Sequence, residues 1–460
     1  MSHHLAESLR AIVGASGLLL DDQVRARHAQ AIGDETLRAR ALVRPESTAQ
    51  VSAVLALCHQ ARCPVVAHGG LTGLVHGADA DGDDVILSLE RMNRIEDLSA
   101  IQRVAVVQAG VTLQKLQEAA QAAGLFFPLD LGARGSATIG GNVATNAGGN
   151  RVLRYGMMRD MVLGLEVVLA DGTVLGSVNR MLKNNAGYDL KQLFIGSEGT
   201  LGVVTRVVLR LREQPASHAM ALVATKDCSS VIALLKHMDR TLGGNLSAFE
   251  VMWREFYELV TTPPSLSRPP LPHGSAVYVL IESLGGEQAQ DSARFQAILA
   301  QAMESGLVVD AVIAASERER AALWAMRDDV LQLTRDGRPF TYDVSLPLDQ
   351  IEAYLGQVKA ALTGCWPRHL SRAFGHLGDG NLHLAITVPD ATDTDHEQAD
   401  AIVYAPLAAI GGSISAEHGI GLDKKAWLGV SRNDAERSLM RALKRTLDPD
   451  GILNPGKVLD

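Results

Sequence analysis

The sequence predicts an α+β protein of several domains. Short β-like apolar runs alternate with segments whose apolar residues recur at helical spacing. The 460 residues are 47% hydrophobic and 21% charged, a globular composition that excludes wholesale disorder. At roughly 150 residues per domain the length suggests about three. Glycine is unevenly placed: 21 of the 43 fall in residues 69–202.

In chain order, residues 5–33 read as one or two short helices. Pro45-Glu46-Ser47-Thr48 is turn and cap chemistry, and Val51, Val54, Leu55 and Cys58 have helical spacing. Cys63–His68 is β-like and runs into glycines. Further strands are expected at 84–89, 104–109, 162–169 and 202–211. Residues 130–156 show little apolar periodicity and read as a long, functional loop. Composition shifts after Pro215. Strands at 276–282 and 308–314 then flank a helix near 288–305, and Thr261–Pro272, with five prolines, reads as an exposed loop. Asp434–Leu447 is helical, and no repeat is evident.

The net charge is −9, with no cluster of five or more Lys/Arg. Nucleic acid and anionic membrane surfaces are poor partners for such a chain. An anionic substrate remains compatible, because a few local cations suffice. Cys58, Cys63, Cys228 and Cys365 form no C-x-x-C pair, which argues against iron–sulfur clusters and Cys-rich zinc sites. No basic-then-apolar leader opens the chain, and no apolar run reaches about 18 residues. The expectation is a cytoplasmic protein with reduced thiols and no membrane span.

Three glycine clusters carry the functional signal. The first is His68-Gly69-Gly70-Leu71-Thr72-Gly73-Leu74-Val75-His76-Gly77. Such a loop can turn its N–H groups onto an anion, or simply make a tight turn between strands. The second, Pro128 to Gly156, sets Gly132, Gly135, Gly140, Gly141, Gly148 and Gly149 beside Ser136, Thr138, Asn142, Thr145 and Asn146. Its backbone and small polar side chains suit an extended polar ligand. The third is Asn184 to Thr205. There is no G-x-G-x-x-G, no P-loop and no G-x-S-x-G, so the usual dinucleotide, NTPase and hydrolase signatures are absent.

In this order, GG-x-TG, GS-x-T-I-GGN-x-x-TNAGG and GSEGTLG resemble the FAD-binding domain of the vanillyl-alcohol oxidase superfamily. The match is to its D-2-hydroxyacid dehydrogenase branch and extends over nearly the whole chain. The resemblance implies a two-subdomain PCMH-type FAD-binding domain at 34–215, after an N-terminal helical segment at 1–33. It also implies an α+β substrate (cap) domain with an antiparallel sheet at 216–440. A tail at 441–460 would return to the FAD domain. By the same resemblance, His68, Gly69, Gly70, Leu71, Thr72, Gly73 and Leu74 hold the FAD pyrophosphate. Pro128, Asp130, Leu131, Gly132, Ser136, Thr138, Ile139, Gly140, Gly141, Asn142, Thr145, Asn146, Gly148 and Gly149 line the cofactor. So do Glu198, Gly202, Val203, Val204 and, from the tail, Asn454. The family commonly has Arg at the position of His68 and Gly at those of Leu71 and His76. Members with covalent flavin often carry His at the position of Thr72, so non-covalent FAD is expected.

In the second half, apolar residues flank the turn Gly378-Asp379-Gly380-Asn381, a hairpin that would bring His376 near His383. Such a pair is either structural or a metal site. Glu417-His418 in Ile414–Gly421 adds a carboxylate and a titratable base. The set H-x6-H with E-H-G-x-G again resembles the D-2-hydroxyacid dehydrogenases. It implies zinc or manganese on His376, His383 and Glu417, with His418 as base. The W-x-x-R motif ending at Arg327 implies a partner for the substrate carboxylate, while Asp379 and Asn381 are expected to build the turn.

Members acting on D-2-hydroxyglutarate have Lys, Thr and Asn where this chain has Thr341, Leu331 and Ala385. Three polar contacts are replaced together, so a monocarboxylate such as D-lactate is favoured, with D-2-hydroxyglutarate as the alternative. Electrons are expected to leave to an external acceptor: electron-transfer flavoprotein, a quinone or a cytochrome. A homodimer is implied by resemblance. From another class, a flavin-binding accessory subunit of an oxidase complex would keep the glycine clusters without the His/Glu set. A transferase of the same superfamily would need a different second domain.

Overall fold

The alternating apolar runs assemble into three main sheets in the computed structural model, which describes residues 3–27 and 36–460. The chain divides into two compact units. The first comprises Met1–Gly148, Gly156–Gln214 and Glu417–Asp460; the second comprises Gly149–Tyr155 and Pro215–Ala416.

The first unit holds two sheets. In the four-stranded one the order is Leu18–Leu19, Ala41–Val43, Val85–Ser88, Val65–His68. Its last three strands are parallel, and the helix Thr48–Gln60 connects two of them. Ser47 caps that helix through the N–H of Gln50, and its buried face is Val51, Val54, Leu55 and Cys58, as the spacing predicts. The five-stranded sheet is antiparallel, in the order Ile95–Ser99, Val104–Gln108, Val203–Arg210, Val162–Val168, Val174–Ser177. These are the two expected subdomains of a PCMH-type fold. The tail returns to this unit: Val65 donates to Ile452 O (2.7 Å) and receives Asn454 N–H on its own carbonyl (2.9 Å).

The second unit is built on a seven-stranded antiparallel sheet. Its order is Asp310–Ile313, Ser217–Thr225, Val277–Gly285, Leu246–Trp253, Leu370–Gly375, Asn381–Thr387, Phe340–Ser345. Alternate residues on one face, among them Met220, Leu222, Met252, Tyr278, Leu280, Phe374 and Ala385, form a core. Phe256 and Tyr257 from the helix Arg254–Val260, and Leu323 and Met326 from the helix Glu317–Arg327, pack on it.

The structure departs from the sequence reading in four places. Residues 130–156 are not one loop, because Ile139–Ala144 is a short helix capped by Thr138. Its sequence, IGGNVA, is too short and too glycine-rich to show a period. The second unit ends at Ala416, not near 440. Hydrogen bonds from Ile420 and Gly421 to Glu198, and from Leu422 to Val75, tie the last segment to the first unit. Gly149–Tyr155 groups with the second unit, where Arg151 forms a bidentate pair with the fully buried Glu282. Thr261–Pro272 is only partly exposed, because Thr261, Ser265 and Leu271 are buried. Of the expected N-terminal helical segment, His3–Val13 and Asp22–Arg25 are helical, and residues 28–33 lie outside the described residues.

Candidate active site

The first unit contains a cleft of about 390 Å³, within the size range of small-molecule sites. Glycine allows its walls to be backbone. Gly73 and Gly132 have no heavy atom within 4 Å of a built Cβ, so they face open space. Gly70 presses on the Ser136 carbonyl, where a Cβ would come within 2.0 Å of the oxygen. Leu71, His76, Glu198 and Asn454 line the cleft and all have positive φ (56°, 54°, 52° and 42°). Side-chain-bearing residues in this region are strained by about 1–3 kcal/mol each, a feature that concentrates at functional sites. Leu71 thus adopts a left-handed conformation without being glycine.

Most residues expected at the cofactor line this one cleft. They include His68 through Leu74 and Leu131 and Gly132. They also include Thr138, Gly140, Gly141, Asn142, Thr145, Gly148, Glu198, Gly202, Val203, Val204 and Asn454. Others take supporting places. Ile139 is in the core, and Asn146 receives Arg159 N–H at 2.9 Å. Asp130 faces Arg134 at 3.5 Å, Pro128 and Ser136 are not on the cleft wall, and Gly149 belongs to the second unit. The Nδ2 of Asn142 is buried without a hydrogen-bond partner, as a wall waiting for a polar ligand would be. The cleft therefore fits a flavin on its own polar chemistry. His68 is fully buried and donates to Ala78 O (2.8 Å). Burial lowers its pKa to about 4, with the Ala78 bond opposing, so the ring is neutral.

Glu417 and His418 line the same cleft. Gly148 makes room for Glu417, since a Cβ there would lie 2.6 Å from its Oε1. The loop that follows is pinned by Glu198. Its Oε1 accepts Ile420 N–H (2.7 Å) and its Oε2 accepts Gly421 N–H (2.8 Å). Burial raises the Glu198 pKa, with both N–H bonds opposing. Asn454 braces the same spot: Nδ2 donates to Glu198 O (2.6 Å) and Oδ1 accepts Ala67 N–H (2.9 Å).

In the second unit the hairpin brings the two histidine rings together, edge to face at 5.3 Å. Gly380 turns the chain at φ 83°. Each ring has a buried carboxylate behind it. Glu250 Oε1 lies 2.7 Å from His376 Nδ1, and Asp343 Oδ1 lies 3.6 Å from His383 Nδ1. A carboxylate at Nδ1 fixes ring orientation and tautomer, the usual support of a metal-binding imidazole. This donor set fits a divalent ion. Glu250 Oε2 also receives Arg327 Nε–H (2.8 Å), and the Arg327 guanidinium stands 5.4 Å over the Phe374 ring. Burial would raise the Glu250 pKa, but the His376 and Arg327 charges outweigh it and hold the carboxyl low. Asp379 and Asn381 build the turn, as expected: Asp379 Oδ1 accepts Asn381 N–H (3.1 Å). Asn381 Nδ2 donates to Asp343 Oδ1 (2.7 Å). Burial raises Asp379 to about 6, with His376 opposing.

Glu250 and Asp343 were not singled out in the sequence, although Glu250 had a readable signal. It is the one acid in the otherwise uncharged strand LSAFEVMW, and a buried acid needs a partner. Asp343 gave no such signal, because the strand FTYDVS is mixed. The role of Glu198 as a loop anchor depends on a chain segment more than 200 residues away.

A backbone-lined cleft in a two-sheet unit, carrying a histidine and a carboxylate on its wall, defines a flavoprotein of the PCMH-type fold. Residues 39–176 match the FAD binding domain family, and residues 214–458 match the family of FAD linked oxidases, C-terminal domain. Among similar proteins, the "D-2-hydroxyglutarate dehydrogenase, mitochondrial" of Bos taurus is 44% identical, covering 91% of this chain and 77% of that protein. The "D-2-hydroxyglutarate dehydrogenase" of Xanthomonas citri pv. viticola is 39% identical, covering 91% and 89%. The chain belongs to the FAD-linked oxidase family, in its D-2-hydroxyacid dehydrogenase branch. FAD is its cofactor. Among solved structures, p-cresol methylhydroxylase with substrate bound superposes with a TM-score of 0.79 at 17% identity, covering 99% of this chain and 96% of that one. Alkyldihydroxyacetonephosphate synthase gives 0.77 at 17% identity, covering 99% and 85%. These two likenesses concern the fold alone. Among the described residues no helix is long and apolar enough to cross a membrane.

Proposed function

We propose that the chain oxidises a D-2-hydroxy acid to the 2-oxo acid, with metal-assisted deprotonation of the hydroxyl. The observation that carries this reading is His418 on the wall of the glycine-lined cleft. When bound, FAD supplies a hydride acceptor, and a divalent metal such as zinc or manganese supplies a Lewis acid for the substrate hydroxyl. His418 takes the hydroxyl proton, a task suited to an imidazole near neutral pH. Arg327, held by Glu250, binds the carboxylate through its guanidinium. His376, His383 and Glu417 are the proposed metal ligands, oriented by Glu250 and Asp343 for the two histidines. The second unit ends at Ala416, whose N–H bonds Asp343 Oδ2 (3.1 Å), and Glu417 is the next residue. The cleft walls, from 68–74 through 131–132, 138–148 and 198–204 to Asn454, hold the flavin. Thr72 offers no imidazole for a covalent link, so FAD is held non-covalently. The first unit is thus the flavin-binding part and the second the substrate-binding part.

The substrate side chain divides two readings. Thr341 and Ala385 are direct cross-strand neighbours, and both are small. Neither has the reach of the Lys and Asn expected for a second carboxylate, which favours a monocarboxylate such as D-lactate. The names of the similar proteins favour D-2-hydroxyglutarate. Electrons pass to a separate acceptor, an electron-transfer flavoprotein, a quinone or a cytochrome, because no haem or cluster motif occurs in the sequence. All four cysteines are free of disulfides, which supports a reducing compartment such as the cytoplasm. A homodimer follows from the family resemblance only. An accessory flavin subunit would have no need of His376, His383, Glu417 and His418 together.

The test is His418→Asn. Flavin content should be unchanged while turnover on the best D-2-hydroxy acid falls about 10²–10⁴-fold, the range for a lost general base. Full turnover in this variant would remove His418 from the chemistry and this reading with it.

A further inference from the structure

We propose that His76 and Asp423 form a clip that positions His418, by fastening the loop behind that residue to the glycine turn of the flavin cleft. This rests on the reading of His418 as the base and deepens it. All the residues concerned belong to the first unit.

The loop that leaves His418 lies directly on the turn 75–77. Leu422 N–H donates to Val75 O (2.9 Å). A Cβ on Gly421 would come within 1.9 Å of that same oxygen, so the two backbones meet with nothing between them. Gly77 is nearly as close, since a Cβ there would lie 3.6 Å from Glu198 Oε2 and 3.9 Å from Gly421 Cα. His76 supplies the side-chain tie. Its Nδ1 is 2.7 Å from Asp423 Oδ1 and 2.8 Å from Oδ2, so Nδ1–H donates to the carboxylate.

Stability alone is a poor reason for this tie. His76 has φ 54°, a left-handed conformation that glycine holds freely and histidine holds under strain. The pair is also open to water, with side chains 37% and 40% exposed. Exposed ion pairs add little to stability. Its placement supplies the better reason. His76 lines the cleft, and Asp423 stands on the loop whose nearer half Glu198 holds at Ile420 and Gly421. Glu198 thus fixes the part next to His418, and His76 fixes the far end. Residues 69–77 are one continuous stretch of cleft wall, so whatever orders that wall also orders Asp423 and, through the loop, His418. His76 is therefore a positioning residue, acting on the hydroxyl proton only through His418.

The experiment uses the flavin-loaded wild type, His76→Gly, Asp423→Ala, Asp423→Asn and the double variant of the first two. The substrate is D-lactate or D-2-hydroxyglutarate, whichever turns over faster. Flavin Kd and the urea midpoint are read on the same samples. His76→Gly removes the ring and relieves the backbone, so midpoint and flavin Kd should hold. Its kcat should fall about 10–100-fold, the scale for a reacting group misplaced by up to about 1 Å. KM should move by less than about threefold, as for a loss felt in the transition state alone. Asp423→Ala should match it, and the double variant should be no slower than either single one, because the two side chains make one contact. Asp423→Asn keeps an acceptor oxygen and should recover part of the rate. Should Asp423→Ala fail to fold, His76→Gly and Asp423→Asn decide. Wild-type kcat in His76→Gly overturns the clip, and so does a loss of rate that tracks a falling urea midpoint. His418→Asn, run alongside, separates the two readings: full turnover there removes the base, whereas lost turnover there with normal kcat in the clip variants removes the clip alone.

Discussion

The carboxylate of Glu250 stands 2.7 Å from Nδ1 of His376, deep in a strand where no other residue is charged. The same group receives Arg327 Nε–H at 2.8 Å. One buried acid thus sets the orientation of a proposed metal ligand and of the proposed substrate-binding arginine. Glu250→Gln should take the buried carboxylate from Arg327 and leave only the partly exposed Asp328, at 3.5 Å, beside it. Removing one partner of a buried pair costs about 3–5 kcal/mol, so urea denaturation should show a loss of that order. Metal affinity, read by chelator competition, should fall about 10–100-fold, as for other supports of a ligating histidine. Unchanged metal affinity would reduce Glu250 to a purely structural acid.

Glu198 is matched to two donors, one on each carboxylate oxygen, at Ile420 and Gly421. Glutamine has one acceptor and would point its NH2 at one of these N–H groups. Glu198→Gln should therefore loosen the loop that follows His418. We expect kcat to fall by about 10-fold or more, since a small misplacement of a reacting group is costly. KM should move little. Loss of FAD instead of turnover would assign Glu198 to the cofactor rather than to the loop.

Gly148→Ala places a methyl where Glu417 Oε1 now sits, at 2.6 Å. Glu417 must move or the backbone must shift. Because Glu417 is the proposed carboxylate ligand, metal content per flavin should drop in the purified variant. Gly176→Ala, with nothing within 4 Å of its Cβ, is the matched control and should keep both.

His68 predicts a pH dependence of stability. Burial lowers its folded pKa to about 4, against about 6.5 in an unfolded chain. Between these values the unfolded chain binds a proton that the folded one refuses. This contribution is complete above pH 6.5 and is lost as the pH falls to about 4. Its size is of order 3 kcal/mol. His68→Gln should flatten that part of the stability–pH curve, measured by urea unfolding at pH 7 and pH 5. A curve of unchanged slope would mean that other groups carry the acid sensitivity.

Much of this architecture is legible before any coordinates. Helical spacing at Val51–Cys58 and Asp434–Leu447 translates directly, because a 3.6-residue period is local. The glycine clusters also read well, since backbone-lined walls need glycine in runs. What stays hidden is set by distant pairing. Glu198 meets Ile420, and Glu250 meets His376, only after the whole chain has folded. The boundary after Ala416 is invisible in composition because hydrogen bonds set it.

Reduction of the flavin by a D-2-hydroxy acid is the step on which the proposed function stands. The direct measurement is anaerobic addition of a panel of D- and L-2-hydroxy acids, including D-lactate and D-2-hydroxyglutarate, to the purified flavoprotein, with metal analysis of the same sample. Rapid loss of the visible flavin absorbance is expected with a D-acid, with little change with the L-forms and about one divalent metal per flavin. A flavin that stays oxidised with every member of the panel would contradict it.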